Sequence, residues 1–257
     1  MIELLASYVP IARDLLLNAL LALFRVGAVF AVLPVFGERS IPTNVRLVLA
    51  AGTVLILTPL LPNSVYTEIN LSWMTGLILS EAVIGLTLGL AIRLLILALQ
   101  ISGSIAAQST SISQIFGGSN VVEAQPAIGQ LLVVAGLALA ATADLHIRLV
   151  EMFLLTYDFF PVGALVGAAS LGEWGVDSVA RSFSLGFILA APFVVASFIY
   201  NLALGAISRA MPQLMVALVG APAITGAGLV LLMLCAPLML QVWLGVLEEV
   251  LANPFGR

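Results

Sequence analysis

Lysine is absent from this sequence, and histidine and cysteine occur once each. Each scarcity closes a class of function. Nine arginines are the whole basic complement, and the net charge is −4. No basic run is present to neutralise a nucleic-acid backbone or to hold an anionic lipid surface, so neither partner is expected. One cysteine cannot form an intrachain disulfide, and Cys235 in LLMLCAPLML reads as a small buried hydrophobe. One His and one Cys exclude a Cys/His metal centre, and no cofactor is expected. No G-x-S-x-G, P-loop or strand-linked G-x-G-x-x-G stands out, and the Ser-rich stretch 109–113 has no His or acid nearby. The chain is not expected to be an enzyme.

Charge itself is scarce. Charged residues make up 9% of the chain and hydrophobic ones 62%, with a mean hydropathy of +1.20, whereas soluble domains carry roughly 25% charged residues. A water-soluble fold of 257 residues cannot hide that much apolar surface. No strand-like alternation persists long enough for a membrane barrel, and a lipid-exposed backbone must satisfy its own hydrogen bonds. The class is therefore an all-α integral membrane protein, with room for one membrane domain of several helices.

Six stretches approach the roughly 20 apolar residues that a spanning helix needs: about 15–36, 45–62, 74–101, 127–143, 183–207 and 213–247. The breaks carry turn chemistry: LPVFGERSIPTN with Pro34 and Pro42, TPLLPNS, GGSN, FFPVG at Pro161, LGEWGVDS, and RAMPQ with Pro212 and Gln213. Pro10 breaks the early run, and Pro192, Pro222 and Pro237 interrupt the later segments. The acidic Glu3 and the early Pro do not make a signal peptide, so an uncleaved start is expected. Arg39, Arg46, Arg148, Arg181 and Arg209 do not fall on one side under simple alternation, and orientation stays open.

Several segments carry a charge that lipid does not tolerate. Arg25 lies within LLALFRVGAVFAVL, and Glu81 and Arg93 lie within the third stretch. A mid-bilayer charge costs roughly 2.5–3.5 kcal/mol on insertion scales. Twelve residues separate Glu81 from Arg93, about 18 Å along a helix and about 120° around it. They cannot pair with each other, and partners must come from other helices or other chains. GLTLG, with Gly85 and Gly89, lets another backbone approach closely. His146 lies in ADLHIRLVEMF, where Asp144, Arg148 and Glu151 fall at helical spacing. That pattern is either a self-neutralised helix end or a proton relay. One long polar break without a counterpart in the other half weakens a small-solute carrier without excluding it.

These residues also resemble a known family. FRVGAVFAVLPVFGERSIPTNVRLVLA (24–50) is similar to the start of the FliR family, the flagellar export-gate proteins whose injectisome counterparts serve type III secretion. The match rests on Arg25, Pro34, Gly37, Arg39, Ile41, Pro42 and Arg46. SEAVIGLTLG resembles the family's Glu-plus-Gly third helix, and DLHIRLVEMFLLTYDFFPVG its His-containing helix ending at a Pro-x-Gly turn. RAMPQLMVALVGAPAITGAGLVLLM resembles its Arg-x-x-Pro-Gln hairpin and following Gly-x-Pro, at Pro212, Gln213 and Pro222. Four motifs fall in the family's order across nearly the whole chain. Departures are Leu145 before the His, Ala217 where an aromatic is common, and a QIFGGSNVVEAQP without Asp-Pro.

The resemblance implies long helical hairpins packed in a multi-subunit spiral around a central pore. Residues 1–182 would form a FliP-like N-terminal part that includes the pore loop 108–126. Residues 183–257 would form a FliQ-like C-terminal hairpin. The protein would be a structural channel subunit of the flagellar type III export gate. It would assemble with FliP-like and FliQ-like subunits, touch an FlhB-like one, and pass unfolded polypeptides through the inner membrane at the flagellar basal body. The alternatives are the same subunit of a virulence injectisome, or a stand-alone small-solute transporter. Arg25, Arg39, Arg46, Glu81 and Arg93 would be charges between helices and subunits, with proton coupling as the sharper alternative.

The family also gives a role to the polar stretch QSTSISQIFGGSNVVEAQPAIGQ. The loop is expected to project into the pore as a plug. Gly117 and Gly118 permit unusual backbone angles, and Ile112, Ile115 and Phe116 are bulky apolar groups able to dewet a constriction. Pro126 would restart a helix. Without the family, the stretch reads as an ordinary interhelical loop whose Ile and Phe pack on a neighbour.

Overall fold

A computed structural model describes residues 2–34, 41–61, 71–110, 127–164, 167–211 and 216–255. Among the described residues every element is a helix: α1 (Ile2–Val32), α2 (Thr43–Leu57) followed by a 3-10 turn (Thr58–Leu60), α3 (Leu71–Ser109), α4 (Ala127–Thr142), α5 (Leu145–Phe159), α6 (Ala168–Ala210) and α7 (Val216–Ala252). Among the described residues, five helices are long and apolar enough to cross a membrane, or six if the pair α4 and α5 counts as one span. The all-α membrane architecture expected from composition is the one found.

Some expected breaks are helical. LGEWGVDS lies inside α6, which begins at Ala168. Its two glycines cost only about 1 kcal/mol each in a helix, and Trp174 between them is anchored, its Nε1–H donating to the Pro254 carbonyl at 3.1 Å. Helix α1 runs through Pro10. Pro192 lies inside α6, and Pro222 and Pro237 inside α7. A proline removes one backbone hydrogen bond, whereas ending the helix in an apolar medium strands many more. Pro222 is therefore a helical residue here, contrary to its expected place at a turn. The opposite correction applies at 127–159. Asp144 takes φ +58 between α4 and α5, a left-handed conformation that Asp tolerates better than most residues. It precedes α5 and does not form a rung on it.

Contacts divide the chain into two compact units, Met1–Arg93 with Asp144–Asp177 and Glu248–Arg257, and Leu94–Ala143 with Ser178–Leu247. In the first unit α2 packs on α1 and also touches α5. The crossing of α1 with α3 is set by glycine. A Cβ on Gly85 would overlap the Arg25 carbonyl oxygen, and one on Gly89 would lie 3.0 Å from the Val29 carbonyl oxygen. Leu21 and Leu77 pack together below that crossing with Leu17, Ile78 and Val162.

In the second unit Trp243 of α7 is fully buried and donates its indole N–H to the Leu95 carbonyl of α3 at 2.9 Å. Gly136 of α4 makes room beside the Trp243 ring, and Gly186 of α6 sits on Ala98 and Ile101 of α3. Gly103 and Gly129 bring α3 and α4 together with no side chain between them. Small residues at such contacts allow dispersion, the main attraction between helices in lipid, to act at short range.

Candidate functional site: a buried charge clamp

Arg25 and Glu81 are both fully buried, and they meet. Arg25 Nε–H donates to Glu81 Oε2 at 2.6 Å and Nη2–H to Oε1 at 3.1 Å. This is the fork-on-carboxylate geometry that only arginine offers. Nη2 also donates to the Phe160 carbonyl at 2.9 Å, and Nη1 to Thr156 Oγ1 at 3.2 Å. The guanidinium lies 3.7 Å over the Tyr157 ring, a further favourable contact for a desolvated cation. Four of its five N–H groups are thus placed, on α1's partners α3 and α5 and on the end of α5.

Glu81 takes a third donor from the turn that follows α5. The Gly163 N–H donates to Oε1 at 3.1 Å. The Ala164 N–H closes the turn on the Pro161 carbonyl at 2.9 Å. Gly163 stands third in the turn with φ +78, as a type II turn requires, and a Cβ there would also overlap Leu77. The PVG motif therefore brings a backbone donor to a buried carboxylate, and only glycine can do so at this place. Beyond Phe160, the ring of Phe255 stacks edge-on at 4.7 Å, which ties the chain's last described residues to the same corner.

The clamp joins α1, α3, α5 and one turn through a cation and an anion that cancel. Desolvation of the two charges consumes most of the Coulombic gain. What remains is specificity: the three helices have one register in which every donor and acceptor meets. Among the side chains of the clamp, Arg25, Glu81 and Thr156 are buried and none is open to solvent.

The other singled-out residues fall elsewhere. Arg46 is half-buried in α2, with Nη2 3.4 Å from the Ile41 carbonyl. Arg93 is exposed on α3, and no ion pair joins it to another described residue. Pro34 lies in the turn after α1, and Pro42 is the residue before α2. Arg148 reaches Glu248 of α7 at 3.2 Å, and His146 is exposed in the first turn of α5. Ile112, Ile115, Phe116, Gly117 and Gly118, together with Arg39, Pro212 and Gln213, lie outside the described residues. Sequence reasoning missed Thr156, Tyr157 and the Phe160 carbonyl. The only available signal was a Thr-Tyr pair set in an apolar helix just ahead of a Pro-x-Gly turn.

Fold and site together define a polytopic helical membrane protein with a buried ion pair where three of its helices meet. Residues 16–250 match the family described as bacterial export proteins, family 1, and the chain belongs to that family. It is 34% identical over 235 residues to the flagellar biosynthetic protein FliR of Caulobacter vibrioides, covering 91% of this chain and 94% of that one. It is 29% identical to the protein of the same name from Bacillus subtilis, over 86% and 87% of the two chains. The corresponding figures for the Escherichia coli protein are 27%, 84% and 83%.

Proposed function

We propose that this chain is a structural channel subunit of the flagellar type III export gate. It assembles with FliP-like and FliQ-like chains around a pore, touches an FlhB-like chain, and passes unfolded polypeptides across the inner membrane at the flagellar basal body. Residues 1–182 would supply the FliP-like part and 183–257 the FliQ-like hairpin. The names of the relatives favour the flagellar setting over an injectisome.

The observation that carries the reading is the length of apolar surface left open on α6. Large exposed hydrophobic residues run from Val176 to Ile207, about 46 Å of helix. A bilayer's hydrocarbon core is about 30 Å thick. Covering the stretch with lipid alone would need a tilt of about 50°, outside the roughly 0–40° that spanning helices show. Arg181 is exposed within the same stretch. Protein neighbours meet both needs, and a carrier that works as a single chain has none to offer. Only 17% of the most apolar windows of α6 and of α7 is buried inside this chain, which leaves most of their surface for such neighbours.

In this reading the segment 108–126 enters the pore, with Ile112, Ile115 and Phe116 as its apolar plug and Gly117 and Gly118 as its pivots. The test is deletion of 110–120. Cells carrying the assembled mutant complex should leak small solutes or ions while export persists at least in part. Wild-type permeability in an assembled mutant complex would contradict the plug.

A further inference from the structure

In the first compact unit α1 and α3 lie side by side and run in the same direction, since Gly85 faces Arg25 and Gly89 faces Val29. Each is polar at two levels and apolar between them. At one level α1 carries Arg13 and Asp14, paired at 3.4 Å. The offset read at the two glycines sets these residues beside Trp73 of α3 to within a helical turn, and Trp73 is 41% exposed. At the other level α3 carries Arg93, exposed and in no ion pair with another described residue. There α1 ends at Val32, whose Cβ would lie 3.3 Å from one on Gly89, one turn before Arg93. Twenty residues separate Trp73 from Arg93, and nineteen separate Arg13 from Val32, about 30 and 28 Å of helix. Between the levels the charges on these two helices are Arg25 and Glu81, which neutralise each other inside the chain. The open sides are apolar, with Leu16, Leu20 and Phe24 on α1 and Leu79, Leu86 and Leu90 on α3. Those three leucines and Arg93 fall within about 60° of arc, on the side of α3 turned away from Glu81. The exposed acids Glu151 and Asp158 belong to α5, whose following turn meets α3 on the Glu81 side.

We infer that Arg93 binds a lipid headgroup phosphate, and that α3 crosses the bilayer's hydrocarbon between Trp73 and Arg93. The hydrocarbon core is about 30 Å thick, which is the spacing found on both helices. Tryptophan suits the headgroup level at one face. At the other, an arginine lays its stem along apolar surface and extends its guanidinium to the interface, where paired N–H donors fit a phosphate. Helix α3 has 39 residues, about 58 Å, so it must leave the hydrocarbon somewhere along its length. A cation on its open side marks the place. A carboxylate on a neighbouring chain would also answer the guanidinium, but it would not call for polar groups at the same two levels on α1 and α3. The inference does not rest on the channel reading above, because lipid would meet this side of the chain with or without those partners.

Spin-label accessibility tests this on the chain purified from its own membranes with whatever accompanies it, and placed in nanodiscs of phosphatidylcholine and phosphatidylglycerol. Cys235→Ala provides the background. Labels on Leu79→Cys, Leu86→Cys and Leu90→Cys should be reached freely by oxygen and poorly by a nickel chelate. Of the three, Leu90→Cys should admit the most nickel, because it lies one turn from the rim. Adding Arg93→Leu to Leu90→Cys removes the anchor and lets hydrocarbon extend past residue 93, so nickel access at the label should fall severalfold. Arg93→Lys keeps the charge and should leave that access near its original value. Low access to both probes at Leu79→Cys and Leu86→Cys would mean that protein covers the stripe, and high nickel access there would mean water. Either result overturns the inference, as does unchanged nickel access at Leu90→Cys when Arg93→Leu is added. If Arg93→Leu does not assemble, Arg93→Gln is read in its place. Loss of assembly in both would assign the guanidinium to a protein carboxylate and overturn the inference too.

Discussion

Removing the Glu81 carboxylate would strand a guanidinium that has no water to turn to. Glu81→Ala is expected to cost roughly 3–5 kcal/mol, the usual result of breaking a buried pair from one side, read as a fall in chain level in the membrane and in the complex's thermal midpoint. Glu81→Gln should be milder but still impair assembly, because its amide turns a donor toward either Arg25 or the Gly163 N–H. A Glu81→Gln chain that assembles normally and exports nothing would instead give the carboxylate a part in proton coupling. Gly163→Ala should cost about 1–3 kcal/mol for the left-handed backbone alone, with the overlap on Leu77 in addition, and the same thermal midpoint reads it. Arg25 and Glu81 were legible in the sequence as charges too costly to leave alone. Helical arithmetic also removed Arg93 as the partner. The pair itself was not legible, since choosing among the remaining arginines needs the α1–α3 crossing. The Phe160 contribution is a backbone carbonyl, which leaves no mark in a sequence. Thr156 and Tyr157 are ordinary residues for an apolar helix until the fold places a cation beside them.

At the level of the helices, the crossing that makes the clamp depends on Gly85 and Gly89. Gly85→Ala pushes against the very carbonyl of Arg25, so it should separate α1 from α3 and lower chain level. Gly76→Ala, on the same helix with open space around it, should leave the level unchanged or raise it, as alanine favours helix by about 1 kcal/mol. Immunoblotting of membranes against wild type distinguishes the two. The GLTLG spacing made this contact legible, because close backbone approach needs small residues a turn apart. Helix breaks at Pro34, Pro42 and Pro161 were legible too, each lying where turn residues cluster and apolar sequence stops. Pro222, Pro237 and the LGEWGVDS stretch were misread for one shared reason. Local breaker chemistry is weak against a long helix whose alternative exposes backbone to lipid or loses an anchored side chain such as Trp174.

At the scale of the whole molecule, four of the described helices, α1, α3, α6 and α7, are longer than a bilayer's hydrocarbon core of about 30 Å. Helices α6 and α7, at 43 and 37 residues, are about 64 and 55 Å long, and most of their surface is not covered by this chain. Composition gave the membrane, because 9% charge is far below that of a soluble domain, and the lack of sustained strand-like alternation gave the helices. It could not give the division of surface between lipid and protein, which depends on where exposed residues lie along each helix. The central claim is that this chain is one subunit of a mixed-chain conduit. Native mass spectrometry of the chain, purified by affinity tag from its own membranes in mild detergent, tests it most directly. The account expects one mass that contains several copies of at least two other kinds of polypeptide. A single chain, or a ring of this chain alone that conducts when placed in a vesicle, would contradict it.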